Sequence, residues 1–372
     1  MSAGDYVFAG AGCALALLLA AQPPARAEPA QEGRIAVPPG EAEAIETIVA
    51  TAKSLVNAAA AAGERPVMRD AHAKGHGCVQ AQFTVRDALP DKLRHGVFAQ
   101  ARSYPAWIRF SNGNGAPRDD HTGDGRGMAV KLIGVEGRKL LPDESTAKTQ
   151  DFVMINYPVF FIRNAADYAP FTLLTKTNQT DKFFATHPHE QAISEAITSK
   201  TVDRVFEQRY FSMTPYRLGP GFMKFSARPV DCATRAQISP SKTPPPVGDP
   251  NYLRNDMIRW LSAKGACFEF GVQLQTDPAT MPIEDPTILW DEAKSPFVTV
   301  ADITIPPQQF ASAAQQAYCE NLSFTPWHAL AVHEPVGGIN RVRRAVYQAI
   351  STLRHQLNGV ARVEPTKLES FN

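Results

Sequence analysis

Tyr347 stands in the run Arg341 to His355, RVRRAVYQAISTLRH, with Arg343 four residues before it and Arg354 seven after it. At helical spacing these side chains share one face. A phenol has a reference pKa of about 10 and is neutral near pH 7. A guanidinium held against its oxygen favours the phenolate. A phenolate aimed inward is an anionic oxygen ligand of the kind a haem iron accepts. The same spacing also describes an amphipathic surface helix with solvated arginines, so other residues have to decide.

Four upstream blocks carry further reactive types. They are R-x-x-H-A-K-G (Arg69, His72, Ala73, Lys74, Gly75), I-R-F-S (Ile108 to Ser111), D-x-R-G-M-A-V-K (Asp124 to Lys131) and N-x-P-V-F-F-I-R (Asn156 to Arg163). Singly each is weak. His72 lies in a glycine-rich loop, and Arg109 fits the outward face of a strand. GNG and GDGRG lack the G-x-x-x-x-G-K-[ST] phosphate pattern. His187-Pro-His189-Glu190 is not a recognised metal-ligand set. His328 and His333 flank a Pro-Val-Gly-Gly turn with no carboxylate or cysteine pattern. No G-x-S-x-G occurs.

The elements that must position these residues follow from patterning. The chain has 372 residues, 44% of them hydrophobic, with a net charge of +1. That balance argues against a dedicated nucleic-acid binder, and 30 prolines argue against an all-helical chain. An apolar run over residues 7–21, closed by Ala25-Arg26-Ala27, reads as a signal peptide over 1–27, with an N-terminal anchor as the alternative. Removal of that segment would place the protein in the periplasm or outside the cell. Residues 28–65 read as a linker and a lead-in helix, Glu41 to Ala62, and 66–372 as one domain. Cys78, Cys232, Cys267 and Cys319 permit two disulfides in three pairings, or four buried thiols.

Strand patterns recur at 79–85, 106–111, 128–135 and 151–162, with turn residues and no helices between them. A helical stretch follows at 165–209, then strands at 222–227, 267–275 and 297–305, then helices at 307–318 and 342–357. This order predicts an antiparallel sheet or barrel rather than βαβ units.

In this order the blocks resemble the haem catalase superfamily, over residues 66 to 360. The resemblance implies an α+β fold: an eight-stranded antiparallel β-barrel with flanking helices and haem b on the barrel side. It makes Tyr347 the iron ligand and Arg343 the guanidinium that holds the phenolate charged. It makes His72 the distal acid–base, Ser111 its hydrogen-bond partner, and Asn156 the candidate distal amide. Arg69, Arg109 and Arg354 pair with the haem propionates, Tyr168 stacks on the porphyrin, and Asp124 lies beside the peroxide channel. The implied activity is catalase or peroxidase chemistry through an oxo-iron(IV) intermediate. The substrate is hydrogen peroxide or an organic hydroperoxide, in a homo-oligomer that binds no nucleic acid. The alternatives are a fatty-acid hydroperoxide isomerase and a non-catalytic haem-binding barrel.

Three departures from the family pattern stand out. Ile155 occupies the family's distal asparagine position, with Asn156 one residue later. Gly113 replaces a bulky residue, which predicts a wider channel. The chain ends 25 residues after Tyr347, so it reads as a reduced core lacking a C-terminal helical domain.

Overall fold

The computed structural model describes residues 37–371 apart from 200 and 242. The expected signal segment, 1–27, lies outside the described residues. The barrel strands are β1 (Gly75–Val85), β2 (Ser103–Asn112), β3 (Arg126–Ile133), β4 (Thr149–Ile155), β5 (Tyr210–Phe211), β7 (Gly221–Val230), β8 (Ala266–Leu274) and β9 (Val298–Ile305). They pair antiparallel in the order β5-β4-β3-β2-β1-β9-β8-β7, and β5 pairs again with β7 to close the ring of eight. A short β6 (Tyr216–Leu218) extends the far end of β7.

Alternation along the strands fills the barrel. In β1, Val79, Ala81, Phe83 and Val85 are buried in the central core, while Gln82 and Thr84 are exposed. Phe83, Phe152 and Phe270 meet at the centre, with ring centroids 4.9 to 6.0 Å apart. Phe225 packs 5.1 Å from Phe152. The interior is therefore a side-chain core, and a ligand of cofactor size has to lie outside the wall.

Helices cover that wall. They are α1 (Glu41–Ala61), α2 (Ala165–Lys176), α3 (Thr180–Phe184), α4 (Pro188–Thr198), α5 (Tyr252–Ala263), α6 (Ala313–Asn321) and α7 (Gly338–Asn358). The lead-in helix is docked. Ile48 of α1 packs with Ala165 and Ala169 of α2 and Val342 of α7, and Ala52 and Val56 pack with Ile350 of α7. Its first residue, Glu41, accepts hydrogen bonds from Arg341 Nε at 2.5 Å and Nη2 at 2.7 Å.

Three elements differ from the sequence reading. The fourth strand ends at Ile155 rather than running to 162. Pro158 has no N–H for a ladder, and the Asn156 side chain takes over the pairing, as described below. The helix expected from 307 begins at Ala313, where the Ser312 side chain accepts the Gln315 N–H. Helix α5 was not anticipated, although Pro250 before it and Gly265 after it bracket its buried Leu253, Met257 and Leu261.

Of the three cysteine pairings, the fold makes Cys78–Cys319 and Cys232–Cys267. The first closes a separation of 241 residues and the second one of 35. In the chain-entropy limit the longer loop contributes up to about 5 kcal/mol. The Cys78→Ser/Cys319→Ser variant should therefore melt at a lower temperature than Cys232→Ser/Cys267→Ser by calorimetry. The reverse order would show that another cost governs the first loop.

Candidate active site

His72 is held in the left-handed backbone region, φ 56°, by strand-like contacts on each side. Its N–H donates to Gly113 O at 3.0 Å, and the Ala73 N–H donates to Asn114 O at 3.1 Å. The imidazole Nδ1 lies 3.0 Å from Ser111 Oγ. Gly127, opposite Ser111 in the β2–β3 ladder, makes room for this pair. A Cβ there would sit 2.6 Å from His72 Nδ1 and 2.7 Å from Ser111 Oγ. Burial, followed by Arg109 and Arg343, pushes the His72 pKa down to about 4. The ring is thus neutral at pH 7, with Nε2 the nitrogen left for proton transfer.

A second network lies behind it. His76 Nε2 donates to Asn112 Oδ1 at 2.8 Å, Asn112 Nδ2 donates to Asp120 Oδ1 at 2.9 Å, and Lys74 Nζ lies 2.7 Å from Asp120. Arg126 joins through Asn112 Oδ1 and the Asp120 carbonyl. Burial first of all drives the His76 pKa down to about 3. These groups tie β1, β2 and β3 together beneath His72 and Ser111. The sequence blocks contain most of them but give no sign that they interlock.

Two expected features take a different form. The Asn156 amide oxygen accepts the Arg126 N–H at 2.7 Å, and the Asn156 N–H donates to Arg126 O at 2.9 Å. Its side-chain oxygen thus continues the β3–β4 ladder and does not bond to His72. Ile155 instead packs in an apolar group with Phe160, Ile162 and Met213. Gly113 does not open a gap in the direction a side chain would take. A Cβ there would meet Asp124 Oδ1 at 2.9 Å and Gly125 O at 3.1 Å. The Asp124 carboxylate, which accepts the Asn114 N–H at 3.0 Å, fills that space. Burial raises its pKa.

Helix α7 supplies the opposite side. Arg343 Nη2 lies 3.4 Å from the Tyr347 hydroxyl, and Nη1 donates to Thr214 Oγ1 at 3.1 Å and Asn340 Oδ1 at 3.2 Å. Burial pulls the Arg343 guanidinium down, but Tyr347 and Tyr216 outweigh it and leave the pKa raised. Tyr168 packs edge-on against Phe160 and Phe161 and lies within electrostatic reach of Tyr347 and Arg343. His72 lies within electrostatic reach of Arg343 as well. His72, Tyr168 and Tyr347 are each half-buried. Asp70, which no sequence block singled out, lies in the same neighbourhood, and burial raises it to about 6.

Arg69, Arg109 and Arg354 converge, although they come from a loop, a strand and a helix. Their meeting point is Glu320. Arg69 Nη1 is 2.5 Å and Arg354 Nη1 3.3 Å from its Oε1, and Arg109 Nη2 is 4.0 Å from Oε2. Arg109 also donates to the His72 carbonyl at 2.8 Å, which links this cluster to the imidazole. Its buried Nε has no partner. Burial depresses Arg109 to about 9 and Arg354 to about 10, with Arg69 adding repulsion to both. Glu320 was missed, because nothing near it in the sequence marks it.

His328 also gains partners that its local sequence lacks. Glu144 hydrogen-bonds its Nδ1, Thr149 Oγ1 lies 2.5 Å from its Nε2, and Glu364 is 3.5 Å away. His328, Glu144 and Glu364 are metal-ligand types. Arg362 pairs with Glu144, and Lys131 lies 2.6 Å from Glu364, so protein cations already neutralise both carboxylates.

A family model for catalase matches residues 46–329. The chain belongs to the catalase family. It is 27% identical over 258 residues to a catalase-related peroxidase of Mycolicibacterium paratuberculosis, covering 65% of this chain and 75% of that one. Together, the family and this relative support a peroxide-related oxidoreductase.

Solved catalases share the fold. A bacterial catalase superposes with a TM-score of 0.59 at 17% identity, over 82% of this chain and 60% of its own. A fungal catalase gives 0.62 at 18%, over 82% and 64%, and catalase A from Saccharomyces cerevisiae gives 0.61 at 18%, over 82% and 66%. The chain thus spans under two thirds of the length of these solved relatives. The family match stops before α7, so the reading of Tyr347 rests on its geometry.

Gly127→Ala should displace the His72–Ser111 pair. The expected cost is about 1–3 kcal/mol of stability, as for other overpacked sites, together with a loss of peroxide turnover. Calorimetry and a turnover assay check it, and an unchanged variant would show that the close packing at Gly127 is not needed.

Proposed function

We propose that the protein is a haem-b-dependent enzyme that consumes peroxide, with hydrogen peroxide as its first substrate class. The observation that carries the reading is a neutral, Ser111-bonded His72 within electrostatic reach of the Arg343–Tyr347 pair. The donor set fits the cofactor. Tyr347 would offer its phenol oxygen to iron, with the Arg343 guanidinium beside it. Arg69, Arg109 and Arg354 carry three positive charges against the single negative charge of Glu320. The excess of two matches the two propionates of haem b, and these arginines would pair with them. Bound there, haem supplies the redox chemistry that breaks the O–O bond.

The chain's own groups supply positioning and proton transfer. With the Nδ1 proton donated to Ser111 Oγ, the lone pair of His72 sits on Nε2. Nε2 takes the proton of the nearer peroxide oxygen and returns it to the leaving one, so that water departs. The β1–β3 network behind His72 keeps this ring fixed. The Asp124 carboxylate beside Gly113 lies where a side chain there would point, which is in keeping with small peroxides as the first substrate class. Two disulfides support an exported protein, in keeping with the signal-like pattern over residues 1–27.

His72→Ala should keep haem and lose peroxide consumption by about 10²–10⁴-fold, the usual share of a general acid–base. Oxygen release and donor oxidation after peroxide addition to the haem-loaded protein measure it, and separate catalase from peroxidase turnover. Full activity in this variant would remove the assignment. The pH profile gives a second check. Because the His72 pKa is lowered to about 4, the basic form persists from neutral pH downward until protonation near that value. The acid limb should therefore appear near pH 4 and not at the ordinary histidine value.

A further inference from the structure

Glu320 has no part in the proton transfer described above, yet among the described residues it is the only carboxylate paired with all three arginines. It stands near the end of α6, one residue after Cys319. Cys319 is bonded to Cys78, and Cys78 is the cross-strand partner of Arg109 in the β1–β2 ladder. A covalent tie thus fixes the carboxylate relative to the strand that carries one of its guanidiniums. The backbone beside it adds to the grip: Arg69 Nη2 donates to Leu322 O at 2.6 Å, and Arg354 Nη1 donates to Glu320 O at 2.7 Å.

We propose that Glu320 is a positioning residue that stands in for a ligand carboxylate. It keeps Arg69, Arg109 and Arg354 gathered before the cofactor arrives, and it limits how tightly the cofactor's carboxylates are held afterwards. The second half rests on the haem reading above; the first concerns the protein alone. Two consequences of opposite sign follow from one charge. Without Glu320, three like charges face one another in a largely buried place, and the cofactor-free protein is destabilised. The same change removes a negative charge beside the incoming propionates, so the loaded protein holds its cofactor more firmly. A side chain that merely filled space would weaken both states together.

The decisive variant is Glu320→Gln, which keeps the shape and removes the charge. Three measurements on the full-length chain read it: the thermal midpoint of the haem-free protein at low and high salt, the rate of haem transfer to excess apomyoglobin, and the reduction potential of the loaded protein. The expected results are a midpoint about 5 °C lower that partly recovers in high salt, haem release about tenfold slower, and a more positive potential. Glu320→Asp keeps the charge and should restore most of the midpoint. It serves as the comparison if the Gln variant does not fold, and an Asp variant equally unable to fold overturns the proposal.

An unchanged haem-free midpoint overturns it as well, and so does haem release that is unchanged or faster. A wild-type chain that takes up no haem would instead remove the functional reading. In that case the haem-free midpoints still decide the role of Glu320 in gathering the arginines.

Discussion

Phe83, Phe152, Phe225 and Phe270 meet across the barrel and leave no lumen. That single packing constraint places everything else. Chemistry cannot occur inside the ring of strands, so it has to be built between the barrel wall and the helices on it. The wall contributes His72 at the entry to β1, Ser111 at the end of β2 and the small Gly127 on β3. The helical layer contributes Tyr347 and Arg343, and α1 holds that layer in place through apolar contacts and the Glu41–Arg341 pair. A rigid core on one side and a docked helix on the other are what a site with fixed geometry needs.

Charge in this protein is managed by burial in groups. The Lys131–Asp151–Glu364–His328 set, the Lys74–Asp120–Asn112–His76 set and the Glu320 arginines each put opposite charges together away from water. The first two act as clamps between strands. The third sets three arginines against one carboxylate, and it touches the His72 backbone through Arg109. A net excess of buried positive charge is costly unless something offsets it, and a dianion would do so.

Much of the barrel was legible because β-strand alternation and turn residues leave a local record. The order of the blocks also named His72 with Ser111 and Arg343 with Tyr347, and the structure bonds each pair. Groups made by tertiary contact were harder to read. Glu320, His328 with Glu144, and the network under His72 join residues far apart in the chain, and no single segment announces them. Asn156 and Gly113 show the opposite limit. Their identities were plain, but only the structure shows the Asn156 oxygen engaged by the β3 backbone and the Gly113 space filled by Asp124. The extra length assigned to β4 came from reading apolar character where Pro158 and a side-chain hydrogen bond end the ladder.

The central proposal is that Tyr347, beside Arg343, would hold the iron of a haem on the outer wall of the barrel. The direct measurement is a haem titration of the purified wild-type protein and of Tyr347→Phe, followed by absorption and electron paramagnetic resonance. The account predicts one haem per chain in the wild type, with a high-spin ferric spectrum of phenolate ligation, and loss or marked weakening of that complex in the variant. Haem bound by Tyr347→Phe with the wild-type spectrum would contradict it.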